Sequence, residues 1–180
     1  MSLVTTESLE TFLRQPNIEA SPAWEFIDGR SYQKPMPTLF HSRLQRNLVN
    51  AINQATEQYE AIQALRCIVP PFSPVPDISI IAIERIPESD GPFEAAPDWI
   101  IEIRSSGQSA VELQKKILHF MENGSRLAWL IDIARSQVWV WQGQELPLIY
   151  AESEILPSVD SVVQLTVAEV MNLTRVRSQL

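Results

Sequence analysis

An Asp at the mouth of one apolar strand, a Glu inside another and a Lys on the next helix can together support metal-assisted hydrolysis of a phosphodiester, if the fold brings them together. Here they are Asp77 in Val75-Pro76-Asp77-Ile78-Ser79-Ile80-Ile81, Glu102 in Pro97-Asp98-Trp99-Ile100-Ile101-Glu102-Ile103-Arg104, and Lys116 in the run ending at Gly124. A carboxylate in the middle of an apolar strand is expensive unless a metal, a cation or a raised pKa accommodates it. For Glu102 the choice lies between a metal and a structural ion pair with Arg104 or Lys116. If the two strands are neighbours, Asp77 and Glu102 approach across the roughly 4.8 Å strand spacing. Two carboxylates and water then make a hard, oxygen-rich site suited to Mg2+ or Mn2+. Asp98 shares the Glu102 face but sits about 13 Å away along the strand, too far to share one ion easily. It reads as a strand-entry residue.

The elements that must position these groups follow from periodicity. Ile78 to Ile83 and Trp99 to Arg104 are strands covered on both faces. Alternation puts Trp99, Ile101 and Ile103 on one side of the second strand and Ile100, Glu102 and Arg104 on the other. Ser109 to Asn123 is a helix whose apolar stripe is Ala110, Leu113, Ile117, Phe120 and Met121. Lys116 flanks that stripe at roughly 90° from its centre, whereas Lys115 faces solvent. Leu39 to about Tyr59 is a long helix with Leu44, Leu48, Ala51, Ile52 and Ala55 on one side and His41 in its first turn. His41 and His119 invite a metal or base role, although a lone helical His more often caps or packs. Asp28-Gly29 marks a hairpin after Trp24-Glu25-Phe26-Ile27. A short helix capped by Thr5 or Thr6 precedes it, ending at Pro16. A strand at Leu65 to Val69, a pair at Arg126 to Ile133 and Gln137 to Gln142, a mixed tail and a terminal helix at Thr166 to Leu173 complete the chain. The fold class is α/β: a central mixed sheet with the long helix on one face and the Ser109–Asn123 helix on the other.

The 180 residues imply one domain: an N-terminal helix and hairpin over 1–35, a core over 36–142 and a C-terminal extension over 143–180. Apolar residues make up 45% and charged residues 20%, which argues against disorder. The single cysteine, Cys67, excludes an internal disulfide and reads as a buried thiol in a reduced, cytoplasmic setting. No signal peptide or membrane span is expected. The net charge of −8 opposes non-specific attraction to nucleic acid, leaving a local basic patch or a metal as the route to DNA.

Together these segments resemble the PD-(D/E)XK nuclease superfamily and, within it, the bacterial Uma-two family of restriction-endonuclease-like proteins. Trp24-Glu25-Phe26-Ile27-Asp28-Gly29 is similar to that family's Tyr-Glu-Leu-Ile-Asp-Gly. His41, Pro76-Asp77, Pro97 to Ile103 with Ser105, Lys116 with Phe120 and Gly124, and Trp129-Leu130-Ile131-Asp132 follow in the family's order. The resemblance implies a restriction-endonuclease-like core, Asp77 and Glu102 as Mg2+ ligands, Lys116 as the superfamily lysine supplied from the helix, and Glu25 as an accessory carboxylate. It implies hydrolysis of a DNA phosphodiester. Arg104 departs from the pattern, standing where the family has an apolar residue. It stays protonated and cannot be a base, but it could neutralise a phosphate or hold Glu102. Two other readings stand beside this one. The first is a non-catalytic module that binds protein or nucleic acid, suggested by the net charge, Arg104 and the exposed-looking Trp139 and Trp141. The second is a homodimer built on the Val138–Trp141 strand or the N-terminal segment.

Overall fold

A computed structural model describes residues 7–176. The elements run α1 (Leu9–Leu13), β1 (Trp24–Ile27), β2 (Arg30–Gln33), α2 (Leu39–Ala55), β3 (Tyr59–Gln63), β4 (Ile78–Ala82), β5 (Trp99–Ile103), α3 (Ala110–Glu122), β6 (Leu127–Asp132), β7 (Gln137–Trp141), β8 (Leu148–Ala151) and α4 (Val167–Asn172). β3 to β8 form one mixed sheet in sequential order. Every neighbouring pair is antiparallel except β5–β6, which is parallel and joined by α3.

Two apolar layers cover the sheet. α2 contributes Leu44, Leu48 and Ile52 to the layer containing Ile80, Trp99, Ile101 and Trp129. α3 contributes Leu113, Ile117 and Phe120 to the layer containing Ile81, Ile100, Ala128 and Trp141. The alternating faces of β5 thus pack against different helices, as its pattern requires. Leu156, Val159, Val167 and Val170 join the α2 layer, so the C-terminal stretch closes the main core.

The β1–β2 hairpin is a separate two-stranded sheet. Asp28 and Gly29 turn it with φ of 52° and 75°, the positive pair that a tight two-residue hairpin needs. It is attached through specific polar contacts, those of Glu25 and Lys34 with Val75 among them. Phe26 and Ser73 exchange backbone hydrogen bonds at 3.1 and 2.8 Å. Buried Arg66 donates to the Trp24 carbonyl at 2.8 Å and the Ile18 carbonyl at 3.0 Å, and lies over the Phe12 ring.

Several expectations need correction. Thr5 and Thr6 lie outside the described residues, and the first helix is capped by Ser8, whose side chain accepts from the Thr11 N–H at 3.1 Å. The long helix stops at Ala55, which is exposed, and Tyr59 opens β3. Thr56, extended at φ −148°, ends the helix, and Asn53 then pairs with both backbone groups of Ala61. Leu65 to Val69 makes only isolated bridges, at Cys67 and Val69. The tail contains an unforeseen edge strand, β8. Trp141 is fully buried and Trp139 half-buried, and β7 is paired on both sides, which leaves that strand no free edge for a second copy. Cys67 is buried as expected, and burial pushes its thiol up to about 12. Among the described residues no helix is long and apolar enough to cross a membrane.

Candidate active site

The β4–β5 register pairs Ile78 with Ile101 and Ile80 with Trp99. Continued by one residue, it sets Asp77 opposite Glu102. Asp77 Oδ2 accepts the Ile103 N–H at 2.7 Å, which fastens the mouth of one strand to the end of the other. Gln45 from α2 donates to the Asp77 carbonyl at 2.7 Å.

His41 enters from α2. Thr38 caps the helix by accepting the His41 N–H at 3.3 Å, fixing His41 in the first turn on the same side as Leu44 and Leu48. Its Nε2 lies 3.3 Å from Asp77 Oδ2, and its Nδ1 is buried without a hydrogen-bond partner. Lys116 enters from α3, where Ser109 is the N-cap. It is buried along with Leu113, Ile117 and Phe120 of the same helix, and its ammonium meets Glu25 Oε1 and lies 2.6 Å from Glu102 Oε1. Glu25 is oriented in turn by the Val75 N–H, which donates to Oε1 at 2.7 Å.

Lys34 was not foreseen in the sequence. It lies one residue past β2, and its Nζ donates to Asp77 Oδ1 at 2.8 Å and to the Val75 carbonyl at 2.6 Å. Three carboxylates, two ammonium groups and one imidazole therefore converge at the C-terminal end of β5.

The electrostatics differ among the carboxylates. Burial alone would raise Asp77, but Lys34 and His41 more than offset it and hold the carboxyl far below the usual range. Glu25 is also lowered, since Lys116 and Lys34 outweigh its burial. Glu102 behaves oppositely. Burial pushes it up to about 7, Lys116 and Lys34 offset only part of that, and Asp77 and Glu25 add to the rise. The hydrogen-bond geometry explains the contrast. Asp77 and Glu25 accept well-directed donors, whereas Lys116 approaches Glu102 Oε1 outside hydrogen-bonding directions and leaves that buried oxygen without a donor.

These residues fit a divalent cation. The donors are carboxylate oxygens, which suit a hard ion, and Glu102 Oε1 is a buried acceptor with no aligned donor, its nearest cation being the Lys116 ammonium at 2.6 Å. Among the described residues no group of three or more His, Cys, Asp or Glu side chains could hold an ion. The fit is therefore to two carboxylates completed by water or substrate oxygen.

Two clefts flank the cluster. One of about 700 Å3 lies between the hairpin and α3 and is lined by Glu25, Arg30, Lys34, Gln108 and Lys116, among others. A smaller one, about 140 Å3, is lined by His41, Asp77, Ile103 and again Lys34 and Gln108. Glu102 lines neither; it lies behind Lys116.

The remaining candidates sit elsewhere. Arg104 does not hold Glu102: it donates to Asp132 Oδ2 at 2.9 Å and to the Gln108 carbonyl at 3.2 Å. Asp98 is structural, as its spacing suggested, accepting from the Ala82 N–H at 2.8 Å and pairing with Arg85. His119 stacks on Phe72 and bonds the Val69 carbonyl at 2.7 Å. Lys115 is exposed and 3.7 Å from Asp28.

The same residues fall within a known family. The Uma2 family, described as "Putative restriction endonuclease", matches residues 9–174. The chain belongs to the Uma2 family. Among solved structures it is similar to a crystal structure of "a putative nuclease belonging to DUF820" from Anabaena variabilis ATCC 29413. Identity is 34%, coverage is 93% of this chain and 99% of that one, and the TM-score is 0.87. No curated protein matches. The Uma2 match spans both layers of the sheet and every residue of the cluster, from Glu25 to Lys116.

Proposed function

We propose that this Uma2 protein is a Mg2+- or Mn2+-dependent endonuclease that hydrolyses DNA phosphodiester bonds, with Asp77 and Glu102 holding the ion. The observation that carries the reading is the convergence of Asp77, Glu102, Glu25 and Lys116 beside an open cleft, with one buried Glu102 oxygen that faces the Lys116 ammonium but has no aligned donor. A bound divalent ion would lower the pKa of the attacking water and neutralise charge on the phosphoryl oxygens.

The chain's own groups do the rest. The Ile103 N–H and His41 aim Asp77 Oδ2. Glu25, held by the Val75 N–H, fixes the Lys116 ammonium in front of Glu102. From there Lys116 orients the water or meets negative charge as it develops on the phosphate. His41 and Glu25 thus act through Asp77 and Lys116, and Arg104 serves by tying the Ser105–Gln108 loop to Asp132.

The net charge need not keep DNA away. Arg43, Arg46 and Arg175, with Asn47, Asn50 and Gln54, line a surface groove of about 430 Å3 that has no carboxylate in its wall. Such a face supplies phosphate contacts without base specificity.

A second reading, a non-catalytic module on the same fold, draws on the two lysines that already neutralise the carboxylates. Incubation of purified protein with supercoiled plasmid and Mn2+ separates the two. Nicking that is abolished by EDTA and by Glu102→Ala supports the nuclease. Asp77→Ala and Glu102→Ala proteins that match wild type in both metal affinity and cleavage would overturn it.

A further inference from the structure

The two oxygens of Asp77 are treated differently. Oδ2 faces donors fixed in the framework, the Ile103 N–H at 2.7 Å and His41 Nε2 at 3.3 Å. Oδ1 accepts from Lys34 at 2.8 Å, a side chain on a flexible four-carbon stem. Lys34 is anchored at its backbone, where its N–H donates to the Ala23 carbonyl at 2.9 Å. Lys34 lines both clefts, and its side chain is 15% exposed, so it has somewhere to go. Across the strand pair, Glu102 is 1% exposed and its Oε1 has no donor. A hard cation shared by these strands needs one oxygen from each carboxylate. On Glu102 that oxygen, Oε1, has no aligned donor, although the Lys116 ammonium lies 2.6 Å away, and on Asp77 the oxygen with a movable partner is Oδ1.

We propose that Lys34 and a divalent cation compete for Asp77 Oδ1, making Lys34 a positioning residue that sets how tightly the site takes metal. The proposal rests on the metal-site reading given above. While paired, Lys34 keeps Asp77 ionised and aimed. When metal enters, the ammonium leaves Asp77 and keeps only the Val75 carbonyl or swings into the larger cleft. No framework donor on Oδ2 has to be broken.

Calorimetric titration of Mn2+ into wild type, Lys34→Met, Lys34→Arg and Glu102→Gln tests this, with circular dichroism to check folding. A hydrogen bond between charged groups is strong enough that its loss should raise Mn2+ affinity about tenfold or more in Lys34→Met. Lys34→Arg keeps the competing charge and should stay within about threefold of wild type. Should Lys34→Met fail to fold, the wild-type protein decides: the Lys34 side-chain ammonium signal in nitrogen-15 NMR should lose its protection on saturation with Mg2+, while that of Lys116 persists. Mn2+ binding in wild type that is lost in Glu102→Gln but equal or weaker in Lys34→Met overturns the competition and leaves the metal site standing. A Lys34 signal unchanged by Mg2+ overturns it equally. Absence of binding in wild type and in Lys34→Met together overturns both the competition and the metal site.

Discussion

Asp77 Oδ2 accepts the backbone N–H of Ile103 at 2.7 Å, so the residue next to Glu102 holds the other candidate metal ligand. The contact makes the two carboxylates one mechanical unit across the β4–β5 pair. It also separates what Asp77 does for the fold from what it would do for a metal.

Asp77→Asn should reveal both. The amide preserves shape but withdraws the counter-charge from largely buried Lys34, and breaking such a pair costs about 3 kcal/mol. Urea denaturation should show that loss with an unchanged slope, and calorimetry should show Mn2+ affinity reduced about a hundredfold or more. An Asp77→Asn protein that binds Mn2+ as wild type does removes Asp77 from the ligand set.

Stability should also depend on pH through Glu102. Its carboxyl lies at about 7 in the folded protein against an ordinary value of 4.5, so between those values the folded state holds a proton that the unfolded chain has lost. Folding stability from this group is therefore greatest below pH 4.5 and falls as pH rises towards 7. Glu102→Gln removes the charge that burial penalises. Its stability relative to wild type should differ little at pH 5 and be higher by roughly 3 kcal/mol at pH 8. Thermal melts at the two pH values check this, and a mutant less stable at pH 8 contradicts it. Asp77 has the opposite sign, its folded carboxyl being depressed, and its contribution is lost only in strong acid.

The arginine face of α2 makes a separate claim. Arg43→Ala with Arg46→Ala should weaken binding to any duplex and lower the slope of log affinity against log salt by about 1 to 2. Fluorescence anisotropy across a salt series measures it, under Ca2+ to suppress cleavage. An unchanged slope takes this face out of the interface.

Arg66→Met tests how the hairpin is held. The guanidinium satisfies the carbonyls of Ile18 and Trp24 and the Ser73 hydroxyl, and Met offers none of these bonds. Hydrogen exchange should quicken by about tenfold or more in β1 and β2 while β4 to β6 stay protected. Nicking should fall in parallel, because Glu25 and Lys34 ride on the hairpin.

Much of the carboxylate framework was legible in the chain. Glu102 stood out because a charge within Trp99–Ile103 has no cheap explanation, and Asp77 followed from the chance that two double-covered strands are neighbours. Helix phase separated Lys116 from Lys115. Lys34 was not legible: it sits among polar residues beside Pro35, and its burial arises from contacts with Val75 and Asp77 some forty residues away. β3 was hidden because Tyr59-Glu60-Ala61-Ile62-Gln63 continues the polar rhythm of α2. β8 was hidden because Leu148 and Ile149, adjacent residues on opposite sides of an edge strand, are both exposed, which erases alternation. Arg104 could not be assigned from its own strand because its partner, Asp132, stands opposite it on the parallel neighbour β6, 28 residues on.

The hairpin shares no strand ladder with the main sheet, and this has a consequence for what the entrance can tolerate. Arg30, Tyr32 and Gln33 form part of the cleft wall from a piece of chain that contributes nothing to the two apolar layers. Substitutions there alter the shape and charge of the entrance at little cost to folding. Asp77 and Glu102 are linked to this segment through Lys34 and through the Glu25–Lys116 pair, and not through Arg30, Tyr32 or Gln33. Substitution can therefore reshape the doorway while the carboxylate framework behind it stays in place.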